Sequence, residues 1–419
     1  MKKSLILLFF LTSIGIGAQN LKTLTLEQCW QLAEQNYPLS KKRELISKTR
    51  EYTLENISKG YLPQFGVYAQ ATYQSDVTKI PIAIPGVEIP EQNKDQYKAY
   101  AEVNQLIYDG GVLQQQKRTE MAHKAVETQK LEVELYNLRE RINALYFGIL
   151  IISEQQKQNE LLKDDINIGL KTTEAQIANG TSFRSNADLL KAELLKADQQ
   201  SITLRNNKKA YLQMLGLFIG SEPDEETVLQ KPEAPLVAKS INRPELELYN
   251  FQNESLELEK KTINAANLPR LNFFVQGGVG NPALNIFADG FDTYYVGGIR
   301  LNWSLSGLYT QKKQKAIIDL NKLDTETQRE IFLFNTNQAL QQQNAEITKL
   351  QEFLAVDGDI ISLRNNVKKA ALAQLQNGII NTGDYLREVN EENLALQNKS
   401  MHETELLLAQ YREKTTRGN

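Results

Sequence analysis

Hydrophobic and polar positions follow two different rhythms along this chain. In LPQFGVYAQATY, residues 62–73, the positions Phe65, Val67, Ala69, Ala71 and Tyr73 are apolar or aromatic, and Gln64, Gly66, Gln70 and Thr72 fall between them. That period of two predicts a strand with unlike faces. The same alternation recurs in LPRLNFFVQGGV (268–279), in YKAYAEVNQLIYDGG (97–111) and in TYYVGGIRLNWSLSG (293–307), the last two ending at glycine. Tyr97, Ala99, Ala101, Val103 and Ile107 share one face, as do Tyr295, Ile299, Leu301, Trp303 and Leu305, while Lys98, Glu102, Asn104, Arg300, Asn302 and Ser304 lie opposite. One side of such ribbons suits lipid and the other water, although the apolar side suits the core of a soluble sandwich too.

The remainder reads as helix. No Pro occurs between Pro90 and Pro223 or after Pro282. Leu131, Leu135, Leu138, Ile142, Leu145, Ile149 and Ile152 recur in alternating steps of four and three, a seam that demands a partner helix. A second seam, Leu190, Leu194, Ala197, Leu204, Tyr211 and Leu215, is broken by Ser201 and Lys208. A continuous helix over 112–178 would be on the order of 100 Å long. Asn179-Gly180-Thr181 and Asn377-Gly378-Ile379 mark the turns between partner helices, because glycine closes a helix in the left-handed region. Thr25 with Gln28 predicts a capping box at the first helix.

These elements occur twice. Asn36-Tyr37-Pro38 and Asn242-Arg243-Pro244 are each followed by Leu-Pro, with 25 residues from Pro38 to Pro63 and from Pro244 to Pro269. The expected organisation is therefore a leader over 1–19, a first repeat over 20–220, a Pro-rich acidic connector over 221–241 and a second repeat over 242–419, each repeat holding a helix, two strands and a long helical hairpin. The leader reading rests on the basic start, the apolar run Leu5–Ile14 and the small residues Gly15, Gly17 and Ala18. The run is short for a bilayer core of ~30 Å, which disfavours an anchor.

Composition changes the picture little. The chain of 419 residues has 24% charged residues and 11 Pro, which favours an extended helical protein over a compact enzyme. A net charge of −3, more negative still without Lys2 and Lys3, offers no field for nucleic acid. The single Cys29 excludes an internal disulfide.

Four two-faced strands cannot close on themselves, and an open edge in lipid leaves backbone groups unpaired at several kcal/mol each. Several chains must then share one barrel. About eight strands fill a barrel with side chains, so three chains contributing about 12 strands suit an open channel better than two.

The doubled header with LTLEQCWQLAEQNYP (24–38), the Leu-Pro strand openings and NGTSFRSNADLLKAELLKADQQ (179–200) resemble the TolC-type outer membrane efflux factors over essentially the whole chain after the leader. The resemblance implies a mainly α fold with a small β part: long coiled-coil hairpins that form a trimeric α-barrel in the periplasm, and four strands per chain in a shared transmembrane β-barrel of about 12 strands. It further implies a homotrimer in outer membrane lipid, docked on a periplasmic adaptor protein and an inner membrane pump or ABC transporter, acting as the passive exit duct of an efflux or type I secretion system.

The family closes its periplasmic end around acidic side chains six and nine residues past the hairpin glycine. Counting from Gly378, these are Asp384, which matches, and Arg387, which departs; a salt bridge in place of an acidic ring puts cation block in question. In the first hairpin the equivalent of Asp384 is Asn186, with Asp188 nearby. Asp384 is also placed to be a first-turn acid favoured by the helix dipole. The tips Asn179, Gly180, Thr181, Ser182 and Asn377, Gly378, Ile379, Ile380 resemble the family's adaptor contacts, or are ordinary helix turns.

Other chemistry finds little footing. GVGNPA (278–283) has the outline of a phosphate loop, but Pro282 and a loop follow where a helix is required. His123 and His402 lie far apart, without a cysteine partner or a metal-binding spacing, and read as surface or seam residues. Met121, Met214 and Met401 trace no thioether path for soft metals. No carboxylate pair is marked for acid–base work, so no enzymatic role and no cofactor are expected. The alternative from another class is a periplasmic coiled-coil scaffold without transport activity.

Overall fold

The structure is a computed structural model that describes residues 23–78, 92–286, 288 and 290–419. The leader lies outside the described residues. The chain divides into two compact units that run across both sequence repeats. Unit 1 holds the described residues of 1–40 together with 133–243 and 334–419; unit 2 holds 41–132 and 244–333.

Unit 1 starts with the short strand β1 (Thr23–Leu24) and helix α1 (Leu26–Asn36). Thr25 Oγ1 accepts from the Gln28 backbone N–H at 3.2 Å and Gln28 Oε1 accepts from the Thr25 N–H at 3.0 Å, the predicted capping box. Helices α3 (Val112–Tyr136) and α4 (Leu138–Ala178) are separated at Asn137, where the sequence predicts one continuous helix. The surroundings of this joint give the reason. Arg139 and Arg243 lie over the Tyr136 ring at 4.6 and 4.8 Å, the Tyr136 hydroxyl donates to the Thr415 carbonyl at 2.9 Å, and Arg243 donates to Asn137 Oδ1 at 3.2 Å. Helix α5 (Arg184–Ile219) returns along α4, and helices α7 (Gly307–Gln376) and α8 (Thr382–Arg417) make the second hairpin. Residues of α3 and α7 are divided between the units.

The connector is more than a tether. Its strand β4 (Val228–Leu229) pairs in parallel with β1, Thr23 opposite Val228, and Tyr146 donates to the carbonyls of Leu24 and Gln230 at 2.9 and 2.6 Å. Around this clasp Leu24, Leu26, Trp30, Ile142, Phe147, Leu215 and Ile219 are buried in one core. The first seam is buried as its spacing requires, apart from half-buried Leu145. The break in the second seam has a polar answer: buried Asn159 of α4 donates to the Ala197 carbonyl and to Ser201 Oγ, both at 2.8 Å. Each of these bonds removes a penalty for burying an amide.

Unit 2 contains α2 (Lys42–Lys59), α6 (Pro244–Ala266) and one antiparallel sheet of four strands in the order β2 (Gln64–Tyr73), β3 (Asp95–Tyr108), β5 (Arg270–Asn281) and β6 (Asp292–Asn302). The first turn of α3 is held by Asp109, which accepts from the N–H groups of Gly111 and Leu113 at 2.8 and 2.7 Å. Gly110 and Gly111, with φ of 74° and 81°, allow the chain to leave the sheet there. Polar pairs such as Arg43–Glu132 at 2.5 Å and Lys260–Asp319 at 2.6 Å join helices of this unit.

Candidate functional site

Two regions carry the residues to which the sequence assigns function. In unit 2 the register fixes the faces of the sheet. Val67, Ala101 and Gly277 stand opposite one another, as do Phe65, Val103 and Val275, and Val275 and Phe273 continue to Gly297 and Ile299. This face is apolar from edge to edge and, among the described residues, largely exposed: Phe65 is 80% exposed, Val67 85% and Tyr295 82%. The opposite face carries Gln70, Lys98, Glu102, Asn104, Gln276 and Arg300, with Tyr68 stacked on Tyr100 at 5.1 Å. Both edge strands, β2 and β6, have no further strand beside them among the described residues. Separately, no helix among those residues is long and apolar enough to cross a membrane.

In unit 1 the two hairpin tips have one geometry. At the first, the Asn179 N–H donates to the Ala175 carbonyl and that of Thr181 to the Gln176 carbonyl at 2.8 Å, with Gly180 at φ 73°. At the second, the Ile379 N–H donates to the Gln374 carbonyl at 2.8 Å, with Gly378 at φ 69°. Both are helix closures that leave glycine in the left-handed region. The tips lie side by side. Thr173 and Thr382 share a buried hydroxyl contact at 3.4 Å, and the Gln176 side chain donates to the Leu375 carbonyl. Phe183 and Ile379 remain exposed, whereas Ile380 packs on buried Tyr385 and Val389.

The residues at the counted gate positions are not gathered into one cluster within the chain. Asp384 sits in the first turn of α8, where Asn381 caps its N–H at 2.9 Å, and it faces Arg387 at 3.7 Å. Arg387 also reaches Glu388 at 3.3 Å. In the first hairpin Asn186 donates to Ser182 Oγ at 3.1 Å and Asp188 is exposed. Among the described residues no hydrogen bond or ion pair joins Asn186 or Asp188 to Asp384 or Arg387.

A buried ionic network next to these residues went unnoticed in the sequence. Lys368 of α7 is 16% exposed and donates to Asp165 of α4 at 2.8 Å and to Glu392 of α8, itself 4% exposed. Asn365 donates to Glu392 at 2.6 Å and Tyr385 donates to the Asp165 carbonyl at 3.0 Å. Burial alone would depress the Lys368 ammonium, yet its bonds to Asp165 and Glu392 outweigh this and hold it above the usual lysine range. Burial, aided by the same two carboxylates, pushes the Tyr385 phenol up. A signal was present: Glu392 follows Tyr385 and Val389 in steps of four and three, a charge at a seam position. Arg364 adds contacts to Glu388 and Glu391 at 3.6 and 2.9 Å. His402 also belongs to a seam, bonding buried Asp357 at 2.8 Å, while His123 is half-buried and 3.9 Å from Glu259. No group of three or more metal-ligating side chains is found among the described residues.

The chain superimposes on solved outer membrane channels. The outer-membrane channel OprN matches with a TM-score of 0.66 at 14% identity, over 94% of this chain and 89% of that one. The outer membrane protein VceC from Vibrio cholerae matches at 0.65 and 13% identity, over 93% and 96%. The CmeC outer membrane channel of Campylobacter jejuni gives 0.64 and 13%, over 94% and 86%. The chain has the TolC-type channel fold. Sequence comparison alone does not reach it, since no protein-family profile and no characterised protein matches the chain. The TolC-type fold is kept at such low identity because it asks for pattern more than for particular residues: helix seams, glycine tips and two-faced strands.

Proposed function

We propose that three copies of this chain form a channel in the outer membrane, the passive exit duct of an efflux or type I secretion assembly. The sheet of unit 2 would be the membrane part and the hairpins of unit 1 the periplasmic part, reached by an adaptor and fed by an inner membrane pump. One observation carries the reading. A four-stranded sheet with a largely exposed apolar face and two unpaired edges is stable neither in water nor alone in lipid, and both defects vanish when three such sheets join edge to edge inside a bilayer. The TolC-type fold supports it, as does an exposed apolar stripe on α7 in steps of three and four, Phe353, Val356, Ile360, Leu363 and Val367, which offers a seam to a neighbouring copy. For the tips, exposed Phe183 and Ile379 beside Gly180 and Gly378 offer apolar contacts to the adaptor.

The test is fractionation, oligomeric state and conductance of the purified chain. The expected result is a detergent-extracted outer membrane trimer that conducts in planar bilayers. Val67→Arg should block insertion, since a cation at mid-bilayer on the lipid face of a barrel costs about 2–4 kcal/mol per copy. A water-soluble monomer or dimer with wild-type properties after Val67→Arg would overturn the reading and favour the periplasmic scaffold.

A further inference from the structure

Among the described residues the polar face of the sheet carries one ion pair, and it joins strands that are not neighbours. Glu102 belongs to β3 and Arg300 to β6, with β5 between them. Arg300 stands opposite Asn272, and Glu102 stands opposite Gln276. To meet, Arg300 lies diagonally across β5, its guanidinium 4.2 Å from the Phe274 ring centre and its Nη1 3.3 Å from Glu102 Oε1. Phe274 in turn leans over Gly298, where a Cβ would touch the ring at 3.4 Å. The result is a stack of glycine, aromatic ring and guanidinium with the cation at the surface. Glu102 is 11% exposed beneath this arm and Arg300 41%. The acid is shielded and the base is displayed.

We propose that the Glu102–Arg300 pair sets the ion selectivity of the channel lumen, Arg300 masking a carboxylate that would otherwise attract cations. This rests on the channel reading, in which the polar face lines the water-filled side of the barrel and three copies of the pair share one level. The other charges of this face are Lys98, Arg270 and Asp292. Lys98 is aligned with Gly280 and Asp292, four residues along β3 from Glu102, or ~13 Å, which exceeds a Debye length of ~8–10 Å near physiological salt. Arg270, opposite Asn302, is closer and adds positive charge at the foot of the sheet. Changes at Glu102 or Arg300 should therefore appear as shifts from whatever the wild-type balance is.

The experiment measures reversal potentials of the full-length trimer in planar bilayers across a KCl gradient near 0.1 M. Arg300→Gln should raise the K+ to Cl− permeability ratio by about threefold and Glu102→Gln should lower it by a similar factor, because each leaves one sign of charge unopposed, in three copies at one level, on the face that lines the lumen. The double variant should return close to wild type. A tie that merely fastened β3 to β6 would move stability but not selectivity, and not with opposite signs. Should Arg300→Gln fail to assemble, Arg300→Cys labelled after folding with an aminoethyl or a sulfonatoethyl methanethiosulfonate tests the same charge, since Cys29 is buried. Singles that match wild type, or that shift in one direction, would overturn the proposal. A wild-type chain that inserts but does not conduct would instead remove the channel reading beneath it.

Discussion

Lys368 offers the sharpest test of what holds the second hairpin to the first. Replacing it with Met keeps most of the aliphatic stem and removes the cation shared by Asp165 and Glu392. Removing one partner of a buried pair commonly costs about 3–5 kcal/mol. Two features lower the figure here: Asp165 is a quarter exposed and can hydrate, and Asn365 still donates to Glu392 at 2.6 Å. A local loss of about 2–3 kcal/mol remains, equivalent to roughly 30- to 140-fold in an opening constant. The assay is hydrogen exchange at the amides of α8 from Tyr385 to Glu392 in the detergent-solubilised protein, because local opening is read there directly. Lys368→Met/Glu392→Leu should recover most of the protection, since it removes the deeply buried carboxylate and leaves only Asp165, which is a quarter exposed and can hydrate. The sign of the pH effect follows from the raised Lys368 value. Its contribution is complete below the ordinary lysine range and is lost as pH rises through the elevated folded value, so wild-type protection, corrected for intrinsic exchange, should be flat from neutrality to about pH 10. Unchanged exchange in Lys368→Met, or a double variant as labile as the single, would refute this account of the network.

Three further outcomes are expected. If Asp384 holds the closed end through contacts to an adjacent copy, Asp384→Ala should raise single-channel conductance; an unchanged value would discard the gate assignment and leave the architecture intact. Trp30→Phe removes the 2.9 Å bond from the indole N–H to buried Asn143 Oδ1, and should lower unfolding stability by about 1–3 kcal/mol in denaturant titrations. Cys29 should resist iodoacetamide in the native protein at pH 8 and react at once after denaturation, because burial pushes its thiol up to about 12; rapid native labelling would contradict the buried core around α1.

What the sequence by itself determined was local and periodic. Phe65 to Tyr73 alternate, so the strand and its apolar face were legible, and Gly180 and Gly378 marked both hairpin tips because only a left-handed residue closes a helix in that manner. Thr25 and Gln28 gave the capping box, whose partners are three residues apart. Tertiary structure decided whatever depends on distant partners. That Asn159 would satisfy the gap at Ser201, that Tyr146 would fasten β1 to β4, and that Lys368 would bury between Asp165 and Glu392 follow from how helices far apart in sequence are set side by side. The counted positions Asp384 and Arg387 show the same limit. Spacing placed them at a helix start, but an acid in a first turn serves a helix dipole as well as a gate, and only neighbouring chains can separate the two. Periodicity records which face of an element is buried; which side chain it meets there is a property of the packed fold.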